Sequence, residues 1–461
     1  MGLTNFIAQR KAWEKGVVHT TLNPEGPGCV RIHLIPPKWS PFHNPPYVVI
    51  LNGYYVLPLG YSWAILLENF IEEVDAFDGA SMNDDDMERV VHTAVKKARR
   101  AYPSISAEEL RSDLKELLDV LFDVAYNRSP KSQIGVLSLR EYAPHMTAPH
   151  RMDLMVSAMI TAVGEWHCNL KCRHCYAAGQ YAANAEELTT AEWKEIIDRC
   201  RKANIPQLTF TGGEPMMRTD LVELISHARW FVTRLNTNGL LLTTELCREL
   251  RAASLDSVQV TLYSDRTEVH NALVGAEGWE KSVTGIQNAL AAGLDLSVNT
   301  PLCRDNADYR AMLEFLHGLG VRYVSCSGLI ETGKAIGTAG SSQLSIKEMD
   351  EILRTAAVFC KETGMEISFT SPGRASADVL RELGITVPMC GACLSNMAIA
   401  PDGAVVPCQS WLGEGMSLGN MLTDDWAKIW NHPTCIKIRG MEESESLCCP
   451  LRTEKERGCG T

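Results

Sequence analysis

Six strand-like runs that alternate with helical stretches between residues 151 and 345 constrain the fold of this chain more than any other feature. The strand-like runs cover residues 155–165, 207–211, 232–237, 257–263, 294–300 and 322–327, and the helical stretches between them cover 190–202, 221–230, 243–253, 279–292 and 307–319. Strands that alternate with helices form a parallel sheet with helices on its faces. Six such units predict an α/β fold with a partial (β/α)6 TIM-type barrel, whose open side suits a large substrate.

Three cysteines lie directly after the first strand-like run, at Cys168, Cys172 and Cys175. Their CxxxCxxC spacing can turn three sulfurs to one side of a loop and hold three irons of a 4Fe-4S cluster, which leaves the fourth iron without a protein ligand. A zinc ribbon or a ferredoxin closes its metal site with a full set of thiolates, whereas an open position is available to a substrate or cofactor. Three unrelated buried thiols, or part of a zinc site, are the alternatives.

The cysteine motif and the aromatic residue Tyr176 that follows it resemble the signature of the radical S-adenosylmethionine (SAM) superfamily. The resemblance implies that the open iron binds the amino and carboxylate groups of SAM. It also implies that an electron from a reductant such as flavodoxin or ferredoxin cleaves SAM to methionine and a 5'-deoxyadenosyl radical. The expected chemistry is therefore the abstraction of a hydrogen atom from a substrate.

Polar motifs follow the strand-like runs, at the end of a (β/α) barrel where active sites lie. The loop after the second run reads Gly-Gly-Glu-Pro, in which two glycines let the backbone approach a ligand and a carboxylate can accept from an ammonium group. It resembles the radical SAM motif that binds the SAM amino group, and short amides after the third run are candidates for the ribose hydroxyls. Turns, helix caps and satisfied polar side chains are the alternatives. The candidate cofactor-binding residues are Tyr176, Gly212, Gly213, Glu214, Pro215, Asn236, Asn238, Ser297 and Asn299.

No general acid or base is identifiable from the sequence, and the catalytic candidates are three acidic side chains, Asp265, Glu331 and Asp402. Asp265 follows the fourth strand-like run, where many members of the radical SAM superfamily carry a Ser and an Asp one or two residues earlier. At that strand end the sequence therefore departs from the family pattern that carries a SAM contact.

Residues 1–128 predict a separate, winged-helix-like α+β domain. Three strand-like runs, at 30–34, 47–51 and 54–57, precede three helical stretches, at 62–74, 84–100 and 106–126. The dipeptide Asn52-Gly53 predicts a hairpin, because both residues tolerate positive φ. This order resembles the PqqD-like recognition element of enzymes that modify ribosomally made peptides, in which a leader peptide adds a strand to the small sheet. An accessory domain that only packs on the core is the alternative, and residues 129–150 are interpreted as a linker.

A second cysteine cluster lies after residue 389 and contains Cys390, Cys393, Cys408, Cys435, Cys448, Cys449 and Cys459. The dipeptide Asp402-Gly403 predicts a tight hairpin that would bring the cysteines at its two ends together. Cys390, Gly403 and Cys408 resemble the opening of the SPASM extension of radical SAM enzymes. Residues 386–461 are therefore expected to bind one or two auxiliary 4Fe-4S clusters, after a bridging helical region at 346–385. The alternatives are that some of the seven cysteines bind no cluster, or that the cysteines form a zinc site.

The formal net charge of −12 argues against a general affinity for nucleic acid or anionic membranes, because both interactions depend on clustered Lys and Arg. No uninterrupted apolar run is long enough to span a bilayer, and the first residues lack the apolar region of a secretory signal. These features predict a cytoplasmic protein. Its clustered cysteines are accordingly expected to be metal ligands rather than disulfides.

Together these patterns predict a radical SAM oxidoreductase that modifies a ribosomally synthesised precursor peptide, with a thioether or carbon-carbon crosslink as the product. One alternative keeps the chemistry but changes the substrate to a folded protein, as in a sulfatase maturase, or to a cofactor precursor. Another is a non-enzymatic iron-sulfur electron carrier or sensor. The Gly-Gly-Glu-Pro loop argues against the carrier, because a carrier needs no SAM site.

Overall fold

The computed structural model describes residues 12–22, 29–37, 46–53, 55–77, 82–126, 128, 130, 137–161 and 163–450. The chain divides into two compact units, one of Met1–His150 with Arg201–Pro206 and one of Arg151–Cys200 with Gln207–Thr461. Cys459 lies outside the described residues, as do parts of the predicted N-terminal domain and linker. No helix among the residues that can be described is long and apolar enough to cross a membrane.

The first unit contains a four-stranded antiparallel sheet whose strands follow one another in chain order. The strands are β1 (Val18–Leu22), β2 (Val30–Ile35), β3 (Tyr47–Leu51) and β4 (Tyr55–Leu59). The predicted hairpin lies between β3 and β4, where Asn52 and Gly53 both adopt positive φ, at 52° and 67°. The prediction of three strands was wrong, because the sheet has a fourth strand, β1. Its sequence Val-His-Thr-Thr-Leu has three polar residues in a row and lacks the apolar alternation of a strand.

Three long helices follow this sheet: α1 (Tyr61–Asp75), α2 (Asp84–Ala101) and α3 (Ala107–Ala125). A capping box of Ser106 and Glu109 opens α3, and an equivalent box of Asn83 and Asp86 opens α2. Apolar side chains of the sheet and of the helices form one buried core, to which Leu57, Leu67 and Leu117 contribute with no exposed surface. A short helix, α4 (Leu139–Tyr142), ends this part of the chain.

The second unit is built on a ten-stranded sheet. Six neighbouring strands are parallel and follow chain order: β5 (Arg151–Ser157), β6 (Gln207–Gly212), β7 (Val232–Thr237), β8 (Ser257–Thr261), β9 (Asp295–Pro301) and β10 (Tyr323–Ser327). The predicted α/β partial-barrel fold is thereby confirmed. The first strand was predicted at 155–165 but ends at Ser157, because the residues after it form a turn in which the amide of Thr161 donates to the carbonyl of Glu165.

Helices connect these strands as expected for a barrel. They are α5 (Thr190–Lys202), α6 (Leu221–His227), α7 (Thr244–Ala252), α8 (Thr267–Val274), α9 (Trp279–Ala291) and α10 (Tyr309–Gly318). Alternate residues along β8 show how the strands divide their side chains between two faces. Val258 and Val260 are fully buried, whereas Gln259 between them is only partly buried and lies on the opposite face.

The segment after β10 continues through α11 (Ala339–Ser342) and α12 (Ile346–Thr363) to a further strand, β11 (Glu366–Phe369), and then α13 (Ala377–Glu382). β11 pairs in parallel with β10. The region predicted as a helical bridge therefore also contributes a strand at one edge of the barrel sheet.

The other edge of the sheet is extended by the cysteine-rich segment. β12 (Asn396–Ile399) pairs in parallel with β5, and β13 (Ala404–Val406) and β14 (Gly419–Asn420) add in antiparallel fashion. The predicted hairpin at Asp402-Gly403 is confirmed, with Gly403 at a φ of 85°. Three short helices follow: α14 (Trp426–Trp430), α15 (Pro433–Arg439) and α16 (Glu443–Ser446).

Candidate active site and iron-sulfur ligands

The loop that carries Cys168, Cys172 and Cys175 is fixed by its backbone. The amide of Lys171 donates to the carbonyl of Val274 at 3.0 Å, and the amide of Arg173 donates to Leu273 at 2.9 Å. Both acceptors lie at the end of α8, so that helix holds the middle of the loop. All three cysteines keep part of their surface exposed, as ligands to a cofactor at the barrel mouth must.

Burial makes these three cysteines poor thiolates on their own. It raises the pKa of Cys168 to about 12 and raises the pKa values of Cys172 and Cys175 as well, and neighbouring cysteines add to the rise for Cys168 and Cys172. Three adjacent thiolates therefore need a positive partner in the loop. An iron-sulfur cluster meets that need, because its irons bind the deprotonated sulfurs. The amide of Ala178 also donates to Cys175 Sγ at 3.4 Å.

The loop after β10 closes tightly on the cysteine loop at Gly333. A Cβ at this position would lie 2.5 Å from the carbonyl oxygen of Tyr176, 2.7 Å from that of Ala178 and 2.8 Å from that of Cys175. Gly333 also has a φ of 57°, in the left-handed region. Only glycine fits this position, so two segments far apart in sequence form one structure around the cysteines.

Lys334 lies beside the same loop. Its amide donates to the carbonyl of Cys175 at 3.1 Å, and its ammonium group lies 4.5 Å from the ring centroid of Trp166. Trp166 in turn donates its indole N–H to the carbonyl of Leu170 at 2.9 Å. The lysine acts against burial by lowering the pKa values of Cys172 and Cys175. The charge of Lys334 therefore favours the thiolate forms of Cys172 and Cys175.

His174, between the second and third cysteines, was not among the predicted site residues. Its side chain is 6% exposed, and neither ring nitrogen has a hydrogen-bond partner among the described residues. Burial lowers its pKa, so it is a neutral imidazole with an unused donor and an unused acceptor. Such orphaned buried atoms fit a polar cofactor bound against this loop. Its place inside the cysteine motif was the signal that could have identified it.

The glycines after β6 lie against the backbone that follows β5. A Cβ at Gly212 would overlap the carbonyl of Ser157, and a Cβ at Gly213 would lie 2.7 Å from the carbonyl of Ala158. Gly212 has a φ of 144°, which favours glycine. The Gly-Gly pair therefore allows a close approach of two backbones, and the carboxylate after it lies at the rim of the barrel.

Glu214 is 1% exposed and accepts three hydrogen bonds. Oε1 accepts from the hydroxyl of Thr237 at 2.7 Å and from the amide of Met216 at 3.1 Å, and Oε2 accepts from the amide of Asn238 at 2.9 Å. Burial raises the pKa of Glu214 to about 7, although these hydrogen bonds oppose the rise. The carboxylate therefore links the ends of β6 and β7 and is poised to ionise near neutral pH.

Asn236 lies near the end of β7, and Asn238 directly follows that strand. The side-chain amide of Asn238 donates to Asn169 Oδ1, inside the cysteine loop, at 2.6 Å. The Oδ1 of Asn236 is buried and accepts no hydrogen bond from the part of the chain that the structure describes. The structure thus brings the third strand end to the cysteine motif and leaves one amide oxygen available to a ligand.

Further polar side chains form a chain across β8, β9 and β10. Gln259 Nε2 donates to the hydroxyl of Ser325 at 3.4 Å, and that hydroxyl donates to Asn299 Oδ1 at 3.0 Å. Ser297 lies two residues before Asn299 and on the same face. Asn299 and Ser297 were predicted site residues, whereas Gln259 and Ser325 were not, because their place in the network depends on strand register.

The three catalytic candidates lie in different surroundings. Asp265 accepts a hydrogen bond from its neighbour Ser264 at 3.2 Å. Glu331 forms an ion pair with Arg374, and both side chains are largely buried. Asp402 Oδ1 accepts from the amide of Ala404 at 3.1 Å and closes the turn between β12 and β13.

The C-terminal cysteines fall into two groups. Burial raises the pKa of the Cys408 thiol most, and the charges of Cys390 and Cys449 raise it further, which places these three cysteines in one group. The second group is Cys393 and Cys435, which are fully buried and share a sulfur-sulfur hydrogen bond. The β12–β13 hairpin joins the groups, because the amide of Cys393 donates to the carbonyl of Pro407, beside Cys408, at 3.1 Å.

The two cysteine-rich loops are connected to each other through Tyr176. Its hydroxyl donates to Gln409 Oε1 at 3.2 Å, so the residues after Cys175 and after Cys408 are hydrogen-bonded. The Gln180 side chain also donates to the carbonyl of Tyr176 at 2.6 Å. A buried apolar cluster lies between the loops and includes Ala178, Ala398, Val406 and Leu412. The cysteines of both loops are thus positioned by one packed core.

Two family profiles match this arrangement. The profile described as the Radical SAM superfamily matches residues 167–326, and the profile described as an iron-sulfur cluster-binding domain, SPASM, matches residues 390–456. The first contains the CxxxCxxC motif and the strand ends of the barrel. The second contains every described cysteine of the C-terminal cluster.

Similar sequences come from proteins named AdoMet-dependent heme synthase. The protein from Oleidesulfovibrio alaskensis is 30% identical over 300 residues, which cover 61% of this chain and 76% of that protein. The protein from Nitratidesulfovibrio vulgaris is 28% identical over 312 residues, which cover 64% of this chain and 83% of that protein.

Similar solved structures include SuiB of Streptococcus suis bound to the precursor peptide SuiA, with a TM-score of 0.58, 14% identity and coverage of 86% of this chain and 88% of that chain. Native anSMEcpe with bound AdoMet has a TM-score of 0.50, 16% identity and coverage of 62% of this chain and 82% of that chain. These structures share the fold of this protein. The matches identify its cofactors as SAM and 4Fe-4S clusters, and the residues around the cysteine loop fit them. The chain belongs to the radical SAM superfamily, as an enzyme with a C-terminal SPASM iron-sulfur cluster-binding domain.

Proposed function

We propose that the protein is a radical SAM peptide maturase, which acts on a ribosomally synthesised precursor peptide and forms a thioether or carbon-carbon crosslink within it. The observation that carries the proposal is the antiparallel sheet of the first unit, whose outer strands are β1 and β4. An extended peptide can add to such an edge through backbone hydrogen bonds.

The β4 edge has the features that strand addition requires. Val48 pairs with Pro58, and Ile50 with Val56. Because Pro58 has no N–H, its position must be one whose backbone points away from β3, and Val56, two residues earlier, points the same way. The carbonyl of Val56 already accepts from the amide of Leu137 at 3.0 Å. Extended backbone can therefore bind along this edge.

The comparison with SuiB supports the same substrate class. Residues 151–461 make up 311 of the 461 residues, or about two thirds of the chain. A match that covers 86% of the chain must therefore extend into residues 1–150. SuiB itself was crystallised bound to its precursor peptide. The AdoMet-dependent heme synthases match only 61% and 64% of this chain.

In the proposed mechanism, Cys168, Cys172 and Cys175 would hold the SAM cluster, and SAM bound there would supply the radical chemistry that removes a hydrogen atom from the substrate. Glu214 holds the ammonium group of the cofactor once it has lost its own proton. His174 and Asn236 offer their unused polar atoms to it. The reductant is expected to be a flavodoxin or a ferredoxin.

The polar network of Gln259, Asn299 and Ser325 offers amide and hydroxyl groups to the backbone of a bound peptide. Asp265, Glu331 and Asp402 are the carboxylates proposed to take part in proton transfer. Among the C-terminal cysteines, Cys390, Cys393, Cys408, Cys435, Cys448, Cys449 and Cys459 are the proposed auxiliary-cluster ligands.

A tetrapyrrole substrate is the second candidate, because the sequence relatives are named heme synthases. Heme is a large apolar ring with carboxylate side chains, which a protein binds with apolar walls and available cations. On the strands described here, Arg151 binds Asp153 at 2.7 Å, and Arg234 donates to the hydroxyl of Ser257 at 3.4 Å. These arginines already have partners within the sheet, and the neighbouring strands carry the amides of Gln259 and Asn299. The chemistry of these residues therefore favours a peptide.

The test uses the full chain, reconstituted with iron and sulfide under anaerobic conditions, with SAM, a low-potential reductant and a synthetic peptide encoded by a short reading frame beside the gene. Crosslinking should appear in mass spectra as the loss of two hydrogens from the peptide. A tetrapyrrole converted while the peptide stays unmodified would instead support the second candidate.

A variant at the β4 edge tests the binding mode. Val56→Pro removes an outward N–H on a strand that already accommodates Pro58. Peptide binding should weaken about tenfold, since one or two backbone hydrogen bonds are lost. SAM cleavage without peptide should be unchanged. Unaltered peptide binding in this variant would argue against β4 as the recognition edge.

A further inference from the structure

One arginine lies directly against the buried sulfurs of the C-terminal cluster. Cys435 and Arg439 are four residues apart on α15, so their side chains share a face of that helix. Arg439 Nη1 donates to Cys435 Sγ at 3.1 Å. The contact joins a cation and a proposed cluster ligand without an intervening residue.

Trp430 fixes the position of this guanidinium group. The Arg439 Cζ lies 3.9 Å from the centroid of the Trp430 ring, a cation-π arrangement. Nη1 and Nη2 also donate to the carbonyl of Trp430, at 3.4 and 3.3 Å. A planar fork held by a ring, a carbonyl and a sulfur has little freedom to turn away. Lysine could keep the charge at this position but could not reproduce all of these contacts.

The electrostatic surroundings of the sulfurs make this cation important. Cys393 and Cys435 are fully buried, which opposes negative charge on either sulfur. The Arg439 guanidinium group, in direct contact with Cys435 Sγ, places a positive charge beside that buried sulfur.

We propose that Arg439 is a positioning residue for the auxiliary iron-sulfur cluster, and that its hydrogen bond to Cys435 raises the reduction potential of the cluster that Cys435 ligates. Reduction adds one negative charge to a cluster, so a nearby cation and an N–H donor to a ligand sulfur favour the reduced form. The inference rests on the proposed ligation by Cys435.

The effect has a place in the proposed reaction. When a substrate carbon radical forms a bond to the sulfur of a thiol, the thiol loses its proton to solvent and one electron remains. The oxidised auxiliary cluster held by Cys435 would accept that electron. A cluster with a raised potential accepts it more readily, so Arg439 favours completion of the crosslink.

The experiment measures potentials in the full chain with Cys168, Cys172 and Cys175 changed to Ala, so that only auxiliary clusters contribute to the EPR signal. Each protein is titrated with a low-potential reductant and mediators. Arg439→Gln should lower the ratio of reduced to oxidised cluster at a fixed potential about tenfold, which is 59 mV for a one-electron couple. Lys437→Gln, which removes an exposed charge from the same helix, should change the ratio less than about twofold. Equal shifts in the two variants, or no shift in Arg439→Gln, would overturn the proposal.

Two further variants secure the result. Cys435→Ala should lose about four irons, and a Cys435→Ala protein with all of its iron would show that Cys435 is not a ligand. If the Arg439→Gln protein does not take up its auxiliary cluster, the Arg439→Lys variant is measured instead. Its ratio of reduced to oxidised cluster should fall by more than that of Lys437→Gln but by less than tenfold. A ratio equal to that of Lys437→Gln would refute the inference. None of these measurements uses the peptide, so failure of the proposed peptide chemistry would be seen separately.

Discussion

Gly333→Ala tests whether the loop after β10 holds the SAM-cluster cysteines in place. The substitution costs about 1–2 kcal/mol because Gly333 has a left-handed backbone. The added Cβ would also lie 2.5–2.8 Å from three carbonyl oxygens of the cysteine loop, and overpacking of this kind typically costs about 1–3 kcal/mol. Together these effects should destabilise the contact between the two loops by about 2–5 kcal/mol. We expect the variant to lose the SAM cluster, about four irons, and to keep its auxiliary iron.

Two glycines provide matched controls. Gly320 has a φ of 88° but no described atom within 4 Å of its Cβ position, so Gly320→Ala tests backbone strain alone. Gly337 lies in the same short helix as Gly333, but no described atom lies within 4 Å of its Cβ position. Gly337→Ala should therefore leave the stability of the loop almost unchanged. Iron, sulfide and SAM binding are measured for all three variants after anaerobic reconstitution. A Gly333→Ala protein with the iron content and SAM affinity of Gly320→Ala would refute the role given to this contact.

Three more predictions follow from the site. Burial raises the pKa of Glu214 from its ordinary value of about 4.5 to about 7, so protonated Glu214 stabilises the fold fully below about pH 4.5 and this contribution is lost as pH rises through 7. Without SAM, the melting temperature of the wild type should therefore fall relative to that of Glu214→Gln between about pH 5 and 8. Parallel melting curves of the two proteins would contradict this prediction. His174→Leu should weaken SAM binding about tenfold or more in calorimetry, because a buried ring with two unpartnered nitrogens loses its bonds to the cofactor, and unchanged affinity would exclude that contact. Gly403→Ala strains the hairpin, where the Cβ would lie 3.0 Å from Asn420 Oδ1, and should lower auxiliary iron while the SAM cluster is kept; loss of the SAM cluster instead would show that the hairpin does not act on the auxiliary site alone.

The barrel was predictable because its signals are local. Apolar strand-like runs, helix caps and turn dipeptides lie within a few residues of the elements they define, and the strands β6 to β10 lie where the pattern placed them. The first strand was misplaced because the apolar residues after Ser157 belong to a turn, and β1 was missed because His19, Thr20 and Thr21 give it no apolar alternation.

The parts that the sequence could not reveal depend on contacts between distant residues. Gly333 is as ordinary in sequence as any glycine, and only the folded chain places it on the carbonyl of Cys175. The cysteine spacing predicted a C-terminal cluster but not that Cys393 pairs with Cys435, nor that Arg439 lies against the latter. Chemistry tells whether two given groups attract or repel each other, whereas only the folded structure shows which groups are neighbours.

The most direct test of the SAM-cluster assignment is the iron and sulfide content of the wild type and of the variant with Cys168, Cys172 and Cys175 changed to Ala, after the same anaerobic reconstitution. We predict that the variant loses about four irons and four sulfides, keeps the iron of its auxiliary clusters, and no longer cleaves SAM. An unchanged iron content in the variant would show that the triad holds no cluster, and the central assignment would be wrong.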